Sequence, residues 1–194
     1  MPFFSYLHNR SDITDVLFRR PRRYAGLNKF TQVILRGKSE LSIAQRELIA
    51  AFVSATNACQ FCAGIHTAVA ERFGVPKQMV ENLMENIDTT DVEEKMKPLL
   101  RYCQKLTLSP AKMEKADAQS VFAAGWSEDA LDDAVDVAAL FNFYNRFLEG
   151  HGIKGYPEIF ESGSATLHKQ GYNVPPIIAR LLLWNKQRKM SKVG

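Results

Sequence analysis

Cysteine is scarce in this sequence: 194 residues contain three, an odd number that does not fit the paired framework of a secreted, disulfide-stapled domain. It fits a protein of a reducing compartment, with one working thiol pair and one bystander. Long apolar runs are also missing, and none approaches the ~18 residues a membrane span needs. The first residues, MPFFSYLHNRSD, lack a basic region followed by an apolar stretch and a small-residue cleavage site. A soluble, unexported, cytoplasmic protein with no membrane partner is therefore expected. Strand patterns are rare, and no repeat of 20–50 residues stands out.

What is present is ordinary for a globular chain: 46% hydrophobic, 24% charged and 10% aromatic, enough to bury a sizeable core. The net charge of +4 is unevenly spread, with +6 over residues 1–38, −7 over 39–150 and +5 over 151–194. Basic segments flanking an acidic middle could hold nucleic acid, but no recognition motif accompanies them. Arms lying on the acidic surface of another subunit explain the pattern better. The densest cluster, Arg19-Arg20-Pro21-Arg22-Arg23, reads as a solvated turn or a contact with an acidic neighbour.

Apolar residues recur at three and four positions almost throughout, so the expected fold class is all-α. In residues 1–38, Ile13, Val16 and Leu17 precede a Pro21 break, and Phe30, Val33 and Ile34 follow it. Ser42 with Gln45 three residues on forms a capping-box pattern and opens a helix reaching Asn57. Asn57 is a good N-cap, which predicts a break there and a second helix carrying Cys59 in its first turn and stopping at Gly74. Further helices are expected over 76–87, over 92–108 with Asp91 as cap and Pro98 marking a kink or the true start, and over 128–149 with Ser127 as cap. The last of these is the most apolar, a central helix. A final helix follows Pro175-Pro176. The predicted architecture is a helical bundle with an N-terminal arm (1–38), a core (39–150) and a C-terminal arm (151–194).

The chemistry concentrates in Cys59-Gln60-Phe61-Cys62-Ala63-Gly64-Ile65-His66. Two thiols and an imidazole at i, i+3 and i+7 share one helix face. Cys59 near a helix N-terminus has its thiolate favoured by the dipole, and His66 lies one turn beyond Cys62. If the chain folds back at Asn57, Glu47 of the preceding helix approaches His66 as a base or as its orienting group. Such a set can let a thiolate attack a peroxide, become a sulfenic acid and close a disulfide with the second thiol. Cys103 has no such neighbours and reads as a buried small apolar residue. Gly150-His151-Gly152-Ile153-Lys154-Gly155 matches GxGxxG in letters only, since it follows a helix, and reads as a helix end and turn.

The combination Leu41-Ser42, Arg46-Glu47-Leu48, Cys59-x-x-Cys62 and His66 resembles the signature of AhpD-like alkylhydroperoxidases in the carboxymuconolactone decarboxylase superfamily, and within it the peroxidase-related group. It spans roughly residues 40–87, and the run from Trp126 to Gly152 is similar to the helix these proteins place next. The resemblance implies an AhpD-like all-α bundle, assembly into homo-trimers or hexamers, and cofactor-free reduction of organic hydroperoxides. The disulfide would be re-reduced by a dithiol partner such as a lipoyl protein. Carried over by position, Cys62 is the peroxide-attacking thiol, Cys59 the resolving thiol, and His66 with Glu47 the proton relay. Phe61 stands where some relatives have a second histidine. Three other readings compete: a thiol–disulfide oxidoreductase or redox-sensing module, a structural zinc site using His66 and Glu47, and two inert core thiols.

Overall fold

Ser42 starts its helix as the capping pattern predicts: its hydroxyl accepts the Gln45 N–H at 3.2 Å and the Gln45 side chain accepts the Ser42 N–H at 2.9 Å. Nine consecutive side chains of this helix, Arg46 to Ser54, are buried, so it forms the middle of the protein rather than one of its walls. The computed structural model describes residues 1–190, and among them every regular element is helical. In chain order these are α1 (Ile13–Leu17), α2 (Pro21–Arg36), α3 (Ile43–Thr56), α4 (Gln60–Arg72), α5 (Met79–Glu85), α6 (Met96–Leu108), a 3-10 turn (Pro110–Lys112), α7 (Lys115–Ala123), α8 (Glu128–Glu149), α9 (Pro157–Gln170) and α10 (Pro176–Met190). The last four residues of the expected C-terminal arm lie outside the described residues. No described helix is long and apolar enough to cross a membrane.

The main core cluster is built on α3, α4, α6 and α8, and a smaller one joins Leu17 and Phe18 to Ala179 of α10. α3 packs most extensively on α4 and then on α8, and α2 closes on α8 from the N-terminal side. Ser127 caps α8 through the Ala130 N–H, and ten of the helix's side chains are buried, as a central helix requires.

Several boundaries differ from the sequence expectation. The helix expected over 76–87 begins at Met79, because Gln78 adopts a left-handed φ of +63°. The helix expected over 92–108 begins at Met96, with Pro98 in its first turn where a missing N–H costs nothing. Glu93 and Glu94 therefore precede it instead of lining its first turn. α9 has no counterpart in the expected elements, since Ser162, Gly163 and Ser164 break its apolar pattern.

Those small residues have a packing reason. A Cβ on Gly64 of α4 would come within 2.7 Å of the Phe160 ring, and one on Gly163 of α9 within 2.8 Å of Ile65. Two glycines facing each other's helices let α9 lie close along α4. That contact brings the segment after α9 over the cysteine helix.

Candidate active site

The turn between α3 and α4 is tighter than the sequence suggested. Asn57 ends α3 as its C-cap, Ala58 takes a left-handed φ of +54°, and Cys59 itself is the N-cap of α4. The expected N-cap role of Asn57 is thus corrected. Its side chain instead reaches α8, donating to Asn145 Oδ1 at 2.8 Å and Asn142 Oδ1 at 3.1 Å. Asn145 in turn donates to Ser54 Oγ at 3.0 Å, so the turn carrying the first thiol is tied to α8 by a ladder of amides.

Folding back at this turn brings Glu47 to His66, with Oε2 at 2.7 Å from Nδ1. Two groups that sequence reasoning did not single out complete the shell. The Arg36 guanidinium of α2 lies 2.6 Å from Glu47 Oε1, and the Tyr172 hydroxyl donates to the same oxygen at 2.6 Å. Glu47 is fully buried, and burial alone would raise its pKa. The charge and hydrogen bond of His66, the Arg36 guanidinium and the Tyr172 hydroxyl outweigh that, and hold it below the ordinary carboxylate range. The His66 ring is also wedged by Phe141, edge-on at 4.5 Å, and by Tyr172, stacked at 6.1 Å.

Tyr172 arrives there through a glycine. Gly171 ends α9 with φ +68°, and a Cβ on it would lie 2.3 Å from the Gln32 side-chain oxygen. Only glycine fits that approach. Gln32 Oε1 then accepts the Tyr172 N–H at 2.7 Å and fixes where the phenol points.

The thiols form a second cluster. Cys59 and Cys62 are both free and buried and share a hydrogen bond. The Cys62 thiol and its backbone N–H favour the Cys59 thiolate over the opposition of burial, leaving Cys59 below its ordinary range. Its partner is pushed the other way. Hydrogen bonding to Cys59, burial and the nearby Cys59 charge all raise Cys62, with the Asn145 amide opposing. Among the described residues no hydrogen bond joins either thiol to His66. What they share is a cavity of about 230 Å³ whose wall includes Cys62 and His66 but not Cys59. Ile13, Leu17 and Phe18 line it from the N-terminal side, and Leu167, Val174 and Leu182 from the C-terminal side. Among the described residues, His66 is its one ionisable nitrogen, and no carboxylate, lysine or arginine lines it.

Cys103 lies apart in α6, fully buried, with only the Ala134 carbonyl near its thiol at 3.9 Å. Among the described residues no group of three His, Cys, Asp or Glu is arranged to hold a metal ion. Arg146 turns along α8 to the Asn142 carbonyl and side chain, away from the cavity.

The sequence pattern of the carboxymuconolactone decarboxylase family matches residues 21–99, a span containing Arg36, Glu47, both thiols of the pair and His66. That match covers 79 of the 194 residues. Solved structures agree on the fold. A peroxidase-related protein from Silicibacter sp. TM1040 superposes with a TM-score of 0.70 at 21% identity, covering 84% of this chain and 79% of that one. An AhpD-core, peroxidase-related protein from Ralstonia eutropha JMP134 gives 0.69 at 20% identity over 82% and 80%. A debrominase in complex with 2,3,4-tribromopyrrole gives 0.66 at 18% identity over 78% and 81%. No curated protein matches the chain by sequence. The chain thus has the AhpD-like all-α bundle.

Proposed function

We propose that this protein is a thiol peroxidase that reduces uncharged organic hydroperoxides, its Cys59–Cys62 pair cycling between dithiol and disulfide. The observation that carries the reading is the shared cavity. Cys62 is the thiol on its wall, His66 stands on the same wall, and Glu47 at 2.7 Å orients the imidazole. The lining suits an alkyl or aryl group and offers no cation for a carboxylate-bearing substrate.

In the resting pair Cys62 donates its proton toward Cys59, whose anion the surroundings favour over that of Cys62. As the hydroperoxide settles, that proton passes to Cys59, and the Cys62 thiolate attacks the terminal peroxide oxygen. The O–O bond breaks, Cys62 becomes a sulfenic acid, and the alkoxide leaves as an alcohol with a proton from His66. Cys59 then displaces the hydroxyl of Cys62, forming the disulfide and water. A dithiol returns both cysteines to thiols and becomes a disulfide itself. Cys62 is only 2% exposed, so the reductant must be a slender group such as a lipoyl arm. This burial counts against direct exchange with a protein disulfide, the competing thiol–disulfide reading. We place the protein in the cytoplasm, whose reducing poise keeps such a pair ready, and take it to be a homo-trimer or hexamer. Phe30 and Val33 on α2, Phe143 on α8 and Ile177 and Leu181 on α10 are exposed apolar groups that self-association would cover.

The test is stopped-flow oxidation of the reduced protein by cumene hydroperoxide, with mass spectrometry of the Cys59–Cys62 peptide. Rapid disulfide formation that disappears in Cys62→Ser supports the proposal. Oxidation no faster than that of a free thiol sinks it. Because the fold is shared with a debrominase, 2,3,4-tribromopyrrole is run in parallel, and bromide release without peroxide turnover would replace the peroxide by a halogenated ring.

A further inference from the structure

The side of the thiol pair away from the cavity holds an acidic group that the peroxide-attacking step does not use. Glu149 ends α8, one turn beyond Asn145, and its carboxylate borders the Cys59 thiol and disfavours the thiolate there. Lys154 holds one carboxylate oxygen, Oε2. The other, Oε1, is buried and makes no conventional hydrogen bond. A buried carboxylate oxygen left this way is costly unless something supplies it with a proton. The neighbour able to do so is Cys59. The charged and polar groups around the thiol pair are Glu149 and Asn145 on α8, which border Cys59 and Cys62 respectively, and Lys154 in the turn behind them.

We propose that Glu149 is the proton acceptor for Cys59 in the disulfide-closing step. The inference rests on the reading above for the origin of the sulfenic acid, but not for the closing step itself, which any mixed disulfide on Cys62 also requires. After attack on the peroxide, Cys59 is a neutral thiol and a poor nucleophile. Glu149 takes its proton as its sulfur attacks the Cys62 sulfur. The S–O bond breaks, the S–S bond forms, and the departing hydroxide recovers the proton from Glu149 to leave as water. The Cys62 sulfur is reduced, the Cys59 sulfur is oxidised, and the carboxylate is restored. Lys154 keeps the carboxylate turned toward the thiol.

The experiment separates closing from attack. The full-length reduced protein is mixed with 4,4′-dithiodipyridine, an uncharged disulfide that releases one thiopyridone when Cys62 is captured and a second when Cys59 closes the ring. Glu149→Gln should leave the first release within twofold of wild type and slow the second by about a hundredfold at pH 7, the lower end of general-base effects. The gap should shrink at alkaline pH, where Cys59 is ionised and needs no acceptor. Lys154→Gln should slow the second release less. An unchanged second release in Glu149→Gln, or a slowing that persists undiminished to high pH as a packing defect would, overturns the proposal. Should Glu149→Gln fail to fold, Lys154→Gln decides: a slower second release is expected, and an unchanged one overturns the role. In parallel, dimedone trapping after cumene hydroperoxide should show a longer-lived Cys62 sulfenic acid in Glu149→Gln. If wild type forms none while closing normally on the pyridyl probe, the peroxidase reading fails and the role of Glu149 stands.

Discussion

Three cysteines lie in one hydrophobic core, all buried, and their surroundings set two of them apart from the third. Cys103 in α6 meets only apolar packing and a distant carbonyl, and burial pushes its thiol up to about 12. Cys59 at the start of α4 is buried as well, yet falls below its ordinary range because Cys62 donates to it. The difference comes from α8, which meets the Cys103 thiol through the Ala134 carbonyl but brings Asn145 and Glu149 to the thiol pair, while Asn142 bridges Asn57 of the turn and Thr107 of α6. Burial therefore keeps one thiol inert, while in α4 it keeps water from a pair whose polar partners are already in place.

The largest expected effect tests that division. Cys62→Ser should lower hydroperoxide turnover by about a thousandfold or more, the scale of losing a covalent nucleophile, with the circular dichroism unchanged. Equal turnover in the variant would remove α4 from the chemistry.

Next comes the buried carboxylate. Glu47→Gln leaves Arg36 without its anion and His66 without its orienting acceptor, so it should cost about 3–5 kcal/mol in denaturant unfolding, the usual scale for breaking a buried ion pair. It should also change the acid limb of stability. The Glu47 carboxyl is held below its ordinary value of 4.5, so its contribution is fully present above pH 4.5 and is lost as pH falls below that through the folded-state value. The variant's stability should fall less steeply than wild type below pH 4.5. A parallel acid limb would mean that the network does not hold Glu47 ionised.

Tyr172→Phe is a milder cut into the same network. It removes one donor from Glu47 but leaves Arg36 and His66, so unfolding free energy should drop by about 1.5–3 kcal/mol, the value of a hydrogen bond to a charged group. Turnover at saturating cumene hydroperoxide should fall less than in Glu47→Gln. An effect as large as that of Glu47→Gln would make the tyrosine, rather than the carboxylate, the group that orients His66.

How much of this was visible in the sequence follows from how local each signal is. The Ser42 and Ser127 caps, the fold-back of α3 on α4 and the Glu47–His66 approach all follow from residues within about twenty positions of one another, where helix geometry alone sets the spacing. Arg36 is 11 positions before Glu47 but lies on another helix beyond the loop to Ser42, and nothing in its spacing predicts the contact. Tyr172 is 125 residues from Glu47 and reaches it through α9, whose glycine and serines hide its helical periodicity. One signal was available: Gly64 and Gly163 are small residues where two helices approach, and a helix hidden by small residues is one that packs closely. The acceptor side of the thiol pair was hidden differently. Glu149 appears in sequence as the acidic end of an apolar helix, and only the turn at Ala58 brings the Cys59 thiol to it.

The smallest predicted effect is the control on the opening contrast. Cys103→Ala removes a sulfur from a site closed by α6 and α8, leaving a small void, and should cost about 1–2 kcal/mol, at the lower end of buried truncations. Turnover should stay within about twofold, because no polar group of the site touches Cys103 and burial, not a partner, sets its state. In the wild type, iodoacetamide at pH 8 should label Cys103 only at the rate of global unfolding, read by mass spectrometry against the rate at which denaturant exposes the core. Labelling of Cys103 at the rate of a free thiol in the folded protein would erase the distinction between the α4 and α6 thiols. Slow labelling that tracks unfolding would assign the reactivity of the α4 pair to its neighbours rather than to access.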